Sequence, residues 1–386
     1  MERLALNGYF WDKQWTGSGQ YTRELWRALQ ASPDLDLALT MLHPAGQPLV
    51  GADAGVHLVA PASRLPLRGD NLRQLWWEQR GLAAAARKLG AKLLHSPYMA
   101  APFFAPCPTV VTVHDLIPLV LPEYAGSPAF RLYLRLATAA ARRARLLLTD
   151  SECSKRDIVR LLGVQAARVI VTYLAVSDLY RPLSAVAQQL VRLRLDLPAR
   201  YLFYIGGFDR RKNVTALLQA YAAALPRLAA PLPLVIAGKP PDAAARAANP
   251  TLFPDVQAEA QRLGLGDQVR WLGRVSDEDK AALYAAAELF IFPSLYEGFG
   301  LDPLEALASG TALLCSNRSS LPEVVGDAGL LVEPTVAALA EAMVSLLGDA
   351  ERLASLRAAG PPQAARFTWH STATQTLAAY HRVLGG

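Results

Sequence analysis

Short apolar runs alternate along this chain with longer stretches in which apolar residues recur every three or four positions. In the first half the short runs are dense in leucine and valine, which is typical of strands buried on both faces of a parallel sheet. They fall at 91–96, 109–113 and 145–149. Helical spacing lies between them, most clearly at 21–31 and 130–144. This alternation predicts an α/β, doubly wound sheet.

The alternation stops in a polar, proline-bounded region at 181–198 and then restarts. One long helix is predicted at 367–384, and strands are predicted at 201–205, 234–237, 269–272, 289–292 and 312–315. Two Rossmann-like domains facing across a cleft are the economical interpretation for a chain of 386 residues. We place the N-terminal domain at 1–182, the second domain at 183–365 and a terminal helix at 366–386.

The segment from Glu297 to Glu305 is the most informative part of the chain. A buried strand is predicted to end just before it, and a helix is predicted over 304–308. A helix that starts after a glycine loop presents free backbone N–H groups and a positive dipole end, which suit a diphosphate. Glutamates are strong acceptors for sugar hydroxyls. Between the two carboxylates stand Gly298, Phe299, Gly300 and Leu301.

Two cations follow the strand predicted at 201–205. Arg211 and Lys212 come directly before a helix predicted to begin near Asn213. Cations at a helix N-terminus oppose the helix dipole, so this placement is unfavourable unless an anion lies beside them. The pattern therefore points to a phosphate site.

Two further segments carry candidate chemistry in the first half. Gly17, Ser18 and Gly19 precede a helix predicted from about Tyr21, and glycines let the backbone approach a phosphate closely. His114 follows the strand predicted at 109–113, at the strand end where open α/β sheets bind ligands. An ordinary flexible loop and a histidine satisfied by loop backbone are the competing interpretations.

These segments, in this order along nearly the whole chain, resemble the signatures of family 4 glycosyltransferases, which are retaining nucleotide-sugar enzymes of the GT-B fold. The resemblance implies that the terminal helix crosses back to the first domain. It implies that His114 and Glu297 lie near the donor sugar and that Glu305 accepts both ribose hydroxyls. Gly207 stands where many relatives carry an arginine, and Asp302 stands where many carry an apolar residue; Asp302 either tunes sugar choice or caps the helix.

The resemblance assigns a full set of site residues. The catalytic group comprises His114, Glu297, Arg211 and Lys212. The donor-binding group comprises Gly17, Ser18, Gly19, Gly207, Arg274, Val275, Gly298, Phe299, Gly300, Leu301 and Glu305. No metal and no cofactor are expected, because the cations and helix N-termini would stabilise the departing diphosphate.

The predicted function is metal-independent transfer of a hexose, with retention, to a hydroxyl of a glycan or lipid-linked glycan. Mannose from GDP-mannose is the first choice of donor. Glucose, galactose or rhamnose from a UDP, ADP or dTDP sugar remain open. A non-catalytic sugar- or nucleotide-binding α/β protein is the alternative from another class. A dehydrogenase is disfavoured, since Gly-x-Gly-x-x-Gly with a later acid follows no predicted strand.

Charge and composition add the expected location and partners. The net charge of +6 resides in residues 1–180, which hold 20 lysines and arginines against 14 aspartates and glutamates. This excess would suit an anionic membrane surface or an acceptor pyrophosphate, although a solvated helix face explains it equally well. No nucleic-acid module is visible. Three scattered cysteines and the lack of a signal-like start predict a cytoplasmic enzyme, at most peripheral to the inner membrane face.

Overall fold

The structure is a computed structural model of the chain and describes residues 1–13, 16–44, 56–59 and 70–385. The chain divides into two compact units. Unit 1 comprises Met1–Leu174 and Thr368–Gly386, and unit 2 comprises Ala175–Phe367. The domain boundaries predicted from the sequence, 1–182, 183–365 and 366–386, stay a prediction.

Unit 1 is built on a parallel sheet with seven strands among its described residues. The strand order is β3-β2-β1-β4-β5-β6-β7, so the chain first builds outward from β1 on one side and then on the other. The sheet is therefore doubly wound, as predicted. The strands are β1 Arg3–Asn7, β2 Ala38–Pro44, β3 Val56–Val59, β4 Leu93–Ser96, β5 Thr109–Thr112, β6 Leu146–Thr149 and β7 Val169–Val171.

Helices connect these strands. Four-residue strands such as β4, β5 and β6 are buried along their whole length, which explains why they are apolar without alternation. A π-helical turn at Trp77–Gly81 joins two of the helices. The helices of this part are α1 Gly17–Ala31, α2 Asp70–Trp76, α3 Leu82–Leu89, α4 Ile117–Val120, α5 Pro128–Arg143 and α6 Glu152–Leu162.

Unit 2, which is described throughout, holds a second parallel sheet with the order β10-β9-β8-β11-β12-β13. It too is doubly wound. The chain adds strands in one direction from β8 to β10 and in the opposite direction from β11 to β13, so the strand order reverses between β8 and β11. Every residue of β8, β9, β11 and β12 is buried. The strands are β8 Leu202–Ile205, β9 Leu234–Ala237, β10 Val269–Gly273, β11 Leu289–Phe292, β12 Leu313–Ser316 and β13 Leu330–Val332.

Helices α8 and α14 of unit 2 pack together over a hydrophobic core cluster that includes residues of its sheet. The region at 181–198, predicted as a polar spacer, contains a helix of its own. The helices are α7 Ala185–Arg194, α8 Val214–Ala224, α9 Ala243–Ala248, α10 Val256–Arg262, α11 Asp277–Ala286, α12 Leu301–Ala308, α13 Leu321–Val325, α14 Val336–Leu347 and α15 Ala350–Ala364.

The last helix, α16 Trp369–Leu384, belongs to unit 1 and packs against α1. Its Tyr380 hydroxyl lies 2.7 Å from Nδ1 of His95, and Nε2 of His95 lies 2.9 Å from the Thr112 hydroxyl. Burial lowers the pKa of His95 to about 3, so the ring is neutral and joins the helix to the sheet. The prediction that the terminal helix returns to the first domain is confirmed.

Candidate active site

The predicted phosphate-binding and sugar-binding segments of unit 2 meet at the point where the strand order of its sheet reverses. Arg211 and Lys212 follow β8, whereas Glu297 follows β11, and these two strands are neighbours. In open α/β sheets the carboxyl ends of the two strands at such a reversal form the ligand crevice. Topology alone therefore brings together residues that lie more than eighty positions apart in sequence.

The two helices that begin at this reversal start without a capping side chain. Gly300 precedes α12, and Asn213 precedes α8 while its side-chain amide donates to the carbonyls of Pro293 and Pro334. Gly300 has φ +118°, a conformation that favours glycine. Most other helices of unit 2, such as α11, start with a serine, threonine or aspartate cap. The first-turn amides of α12 thus have no capping side chain and suit an anion.

Glu297 lies between the two predicted phosphate-binding cations. Nη1 of Arg211 is 2.7 Å from Glu297 Oε2, and Nζ of Lys212 is 2.8 Å from Glu297 Oε1. Ser294 donates to the same carboxylate at 2.6 Å. The placement of these cations is unfavourable unless an anion lies beside them, and here a carboxylate of the chain itself, that of Glu297, is such an anion.

A second ion-paired group continues from this one along α12. Nζ of Lys280 lies 2.9 Å from Asp302 Oδ1 and 2.5 Å from Glu305 Oε2, and Asp302 Oδ2 lies 3.8 Å from Lys212. The interpretation of Asp302 as a helix cap is wrong, since its carboxylate binds these lysines and Gly300 holds the cap position. We call the resulting row of alternating charges the charge row; it comprises Arg211, Glu297, Lys212, Asp302, Lys280 and Glu305.

The charge row is not a set of surface ion pairs. Its side chains are between 9% and 21% exposed, so water screens them weakly. Burial raises the pKa of Glu305 to about 7, although the neighbouring Lys280 counteracts this. For Asp302, burial is outweighed by Lys280 and Lys212, and its pKa lies below the ordinary value. Two carboxylates one helical turn apart thus have opposite pKa shifts.

The remaining predicted residues of unit 2 follow the carboxyl ends of strands in the same sheet. Gly207 follows β8, and its carbonyl accepts a hydrogen bond from Tyr204. Gly298 and Phe299 are buried, and the Phe299 carbonyl accepts from Ser320 at 2.6 Å. Leu301 is the first residue of α12 and is half-buried. Arg274, exposed, and Val275, half-buried, follow β10, two strands away from β8.

In unit 1 the glycine segment differs from its prediction. Helix α1 begins at Gly17 rather than near Tyr21, and Thr16 caps it by accepting from the Gly19 amide at 3.1 Å. A side chain at Gly19 would clash with the carbonyl of Lys13, so this glycine is needed for close backbone packing. Gly17 and Ser18 contribute the first backbone amides of α1, the helix that follows the carboxyl end of β1.

His114 is held between two acceptors. Its Nδ1 lies 2.7 Å from Asp150 Oδ2 and its Nε2 lies 3.1 Å from the Pro97 carbonyl. Burial disfavours the charged ring, but the Asp150 carboxylate outweighs it and the pKa of His114 is raised. The ring also packs edge-on against Tyr21 of α1, with 4.8 Å between ring centroids. The structure thus brings His114 close to the helix that carries Gly17 and Ser18.

The site also contains three residues that the sequence did not predict: Lys280, Asp150 and Tyr284, whose hydroxyl donates to Glu305 Oε2 at 3.3 Å. Lys280 follows three acidic residues in α11, a pattern that resembles a solvated helix face. Asp150 directly follows the buried strand β6, and His114 lies two residues after the neighbouring strand β5.

Comparison with known proteins identifies the family. Residues 188–362 match the family described as "Glycosyl transferases group 1", and residues 15–178 match "Glycosyltransferase Family 4". The O-antigen chain mannosyltransferase B of Escherichia coli is 34% identical over 95% of this chain and 96% of its own length. The chain belongs to glycosyltransferase family 4. Members of this retaining hexosyltransferase family use nucleotide-sugar donors.

A second relative supports this membership of family 4, and a solved structure shows the fold. The serotype-specific mannosyltransferase WbdA of Escherichia coli is 32% identical over 72% of this chain, which spans 34% of that protein. The solved structure of sucrose-phosphate synthase from Thermosynechococcus elongatus superposes with a TM-score of 0.76 at 23% identity and covers 100% of both chains. The predicted GT-B fold and the predicted enzyme class are confirmed.

Proposed function

We propose that this family 4 enzyme transfers mannose from GDP-mannose, with retention and without a metal, to a hydroxyl of a glycan or lipid-linked glycan. The similarity to the O-antigen chain mannosyltransferase over 95% of the chain supports mannose as the sugar. The observation that carries the proposal is the pairing of Arg211 and Lys212 with Glu297 beside the uncapped start of α12. This arrangement offers cations and amides to a diphosphate, and carboxylates to hydroxyls.

In this mechanism the bond between the sugar's anomeric carbon and the diphosphate oxygen breaks while the acceptor oxygen bonds to the same carbon on the same face. The acceptor's proton passes to the departing phosphate. Arg211, Lys212 and the first amides of α12 stabilise the negative charge that grows on the diphosphate. Glu297 positions the sugar through its hydroxyls, and Glu305 binds the ribose.

The proposal is tested with purified enzyme, GDP-mannose and a panel of UDP, ADP and dTDP sugars in excess EDTA. We expect GDP-mannose to raise the melting temperature most, since ligand at a hundred times its dissociation constant adds about 2.7 kcal/mol. Turnover should be unchanged by EDTA. Turnover only with another donor would replace the sugar assignment. Turnover abolished by EDTA and restored by Mg²⁺ would contradict metal independence, and binding without turnover would favour a non-catalytic sugar binder.

The same proposal places an anionic membrane surface among the partners, in contact with α5. Helix α5 carries four arginines and no acidic residue, and it leaves Phe130, Leu132 and Leu136 exposed on unit 1. Exposed apolar side chains among arginines are typical of helices that lie in a membrane interface. Among the described residues no helix is both long enough and apolar enough to span a bilayer. Contact through α5 would bring the enzyme to a lipid-linked acceptor.

We expect the variant with Leu132→Ser and Leu136→Ser to lose most of its sedimentation with vesicles that contain anionic phospholipid. The variant with Arg131→Gln and Arg135→Gln should lose the electrostatic part of vesicle binding. The wild type should lose the same part in 0.5 M salt, because salt screens these charges. The matched control is Val186→Ser with Leu190→Ser, two apolar residues of α7 in unit 2 that are more exposed than Leu132 and Leu136. Equal losses in both apolar variants, or none in either, would leave α5 as an ordinary solvated helix face.

A further inference from the structure

Lys280 and Asp302 form an ion pair next to the proposed ribose-binding carboxylate. Lys280 lies on α11, whereas Asp302 and Glu305 lie one turn apart on α12, and the two helices are in contact. Nζ of Lys280 contacts a carboxylate oxygen of each acid. The lysine therefore joins the two acids of α12, which lie on one side of that helix because of their spacing.

Two opposing effects act on the carboxyl group of Glu305: burial favours its neutral form, and Lys280 favours its charged form. To accept a hydrogen bond from both hydroxyls of a ribose, the carboxyl group must be ionised, because a protonated carboxyl group has lost part of its acceptor capacity. Its side chain is 9% exposed, and burial penalises the charged form. A cation at 2.5 Å is the strongest local factor that favours the carboxylate.

Asp302 has the complementary task of holding the lysine. Its Oδ1 binds Lys280 while its Oδ2 faces Lys212 at 3.8 Å, so Asp302 links the ribose side of the charge row to the phosphate side. The other groups that face this cluster are Tyr284, whose hydroxyl lies 3.3 Å from Glu305 Oε2, and Tyr180, whose ring lies 5.9 Å from Nζ of Lys280. Asp277, which acts on Tyr180, is a further acid near this cluster, and Glu297 is the acid at the phosphate side of the row.

We propose that Lys280 is a positioning residue that holds Glu305 as an oriented carboxylate for the ribose of the donor nucleotide, and that Asp302 holds Lys280 in place. This inference rests on the proposed function, in which Glu305 binds ribose. It predicts that the contribution of the ribose hydroxyls to nucleotide affinity depends on pH, whereas the contribution of the diphosphate does not depend on Lys280.

The test compares the affinities of GDP and 2′,3′-dideoxy-GDP from pH 5.5 to pH 9.5. Both nucleotides carry the same titrating phosphates, so the ratio of their affinities isolates the ribose hydroxyls. In the wild type we expect the preference for GDP to be present above about pH 7 and to fall as Glu305 is protonated at lower pH. In Lys280→Met the fall should move about 1–3 pH units upward, since an opposite charge at this distance shifts a carboxyl group by that amount.

At pH 7 this shift means that Lys280→Met loses roughly tenfold or more of its preference for GDP, while dideoxy-GDP binds as in the wild type. Lys280→Arg should restore most of the preference. The double variant Lys280→Met with Asp302→Asn removes one charge of each sign and should fold even if the single variant does not. Its upward shift should be smaller than that of Lys280→Met, because the Asp302 carboxylate itself raises the pKa of Glu305. The matched control, Arg227→Met, removes an exposed ion pair with Glu341 of α14 and should change neither affinity.

Three results would overturn the inference. The first is a wild-type preference for GDP that is constant across this pH range. The second is a Lys280→Met variant that weakens both nucleotides equally, which would place the lysine at the diphosphate or in the scaffold. The third is a double variant with an unshifted profile. A wild-type enzyme that binds UDP or ADP instead is tested with that nucleotide and its dideoxy form, and one that binds no nucleoside diphosphate refutes the proposed function itself.

Discussion

Replacing Lys212 with alanine is expected to lower turnover by roughly 10²–10³-fold, because one preorganised donor to the developing charge of the transition state has about that effect. Lys212 is 9% exposed, and its ammonium lies 4.8 Å from the centre of the Phe292 ring. It thus reaches the active site with little freedom to reorient. We measure the turnover number with saturating donor, so that any loss of donor affinity is separated from the loss in rate.

The same change should also destabilise the enzyme, contrary to what the sequence alone implied. Loss of Lys212 leaves the carboxylate of Glu297 with Arg211 as its remaining cation, and we expect a loss of about 1–3 kcal/mol in the free energy of unfolding. Lys212→Arg keeps the charge and should keep most of the stability, with partial turnover. An alanine variant that melts early yet turns over at the wild-type rate would assign Lys212 to the scaffold.

The fold was predictable because buried strands of a parallel sheet carry a continuous apolar signal. The strand predicted at 289–292 coincides with β11, whose four residues are all buried. Helix starts were less predictable, since they depend on tertiary contacts. Glycine disfavours helix, yet Gly19 lies inside the first turn of α1 because its backbone packs against the Lys13 carbonyl.

The active site was predictable where residues follow strand ends and unpredictable where they approach from helix faces. Arg211 and Glu297 were singled out because each lies in the connection between a buried strand and the helix that follows it. Lys280 lies on α11 and contacts the site from this neighbouring helix. Nothing in its own neighbourhood in sequence distinguishes it from a surface lysine. The pairing of His114 with Asp150 joins the ends of two neighbouring strands, which topology could have suggested once the strand order was known.

Glu297 and Glu305 should differ sharply when each is replaced by glutamine. Glu305→Gln should weaken GDP binding itself, because the ribose is present whether or not a sugar is attached. Glu297→Gln should lower turnover while GDP binding is retained or becomes tighter. The structure gives the reason for tighter binding: Glu297 occupies Arg211 and Lys212 at 2.7 Å and 2.8 Å, so its carboxylate competes with a diphosphate for both cations.

Calorimetry with GDP measures the affinity of each variant, and initial rates with GDP-mannose measure turnover. Glu341→Gln is the control, since this exposed glutamate pairs with Arg227 on the surface of unit 2. If both variants lost GDP affinity equally, the division of roles would be wrong. If Glu297→Gln bound GDP more tightly and still turned over normally, Glu297 would serve only to neutralise the phosphate-binding cations. Slow turnover with undiminished GDP affinity is the result expected of a residue that contacts the sugar.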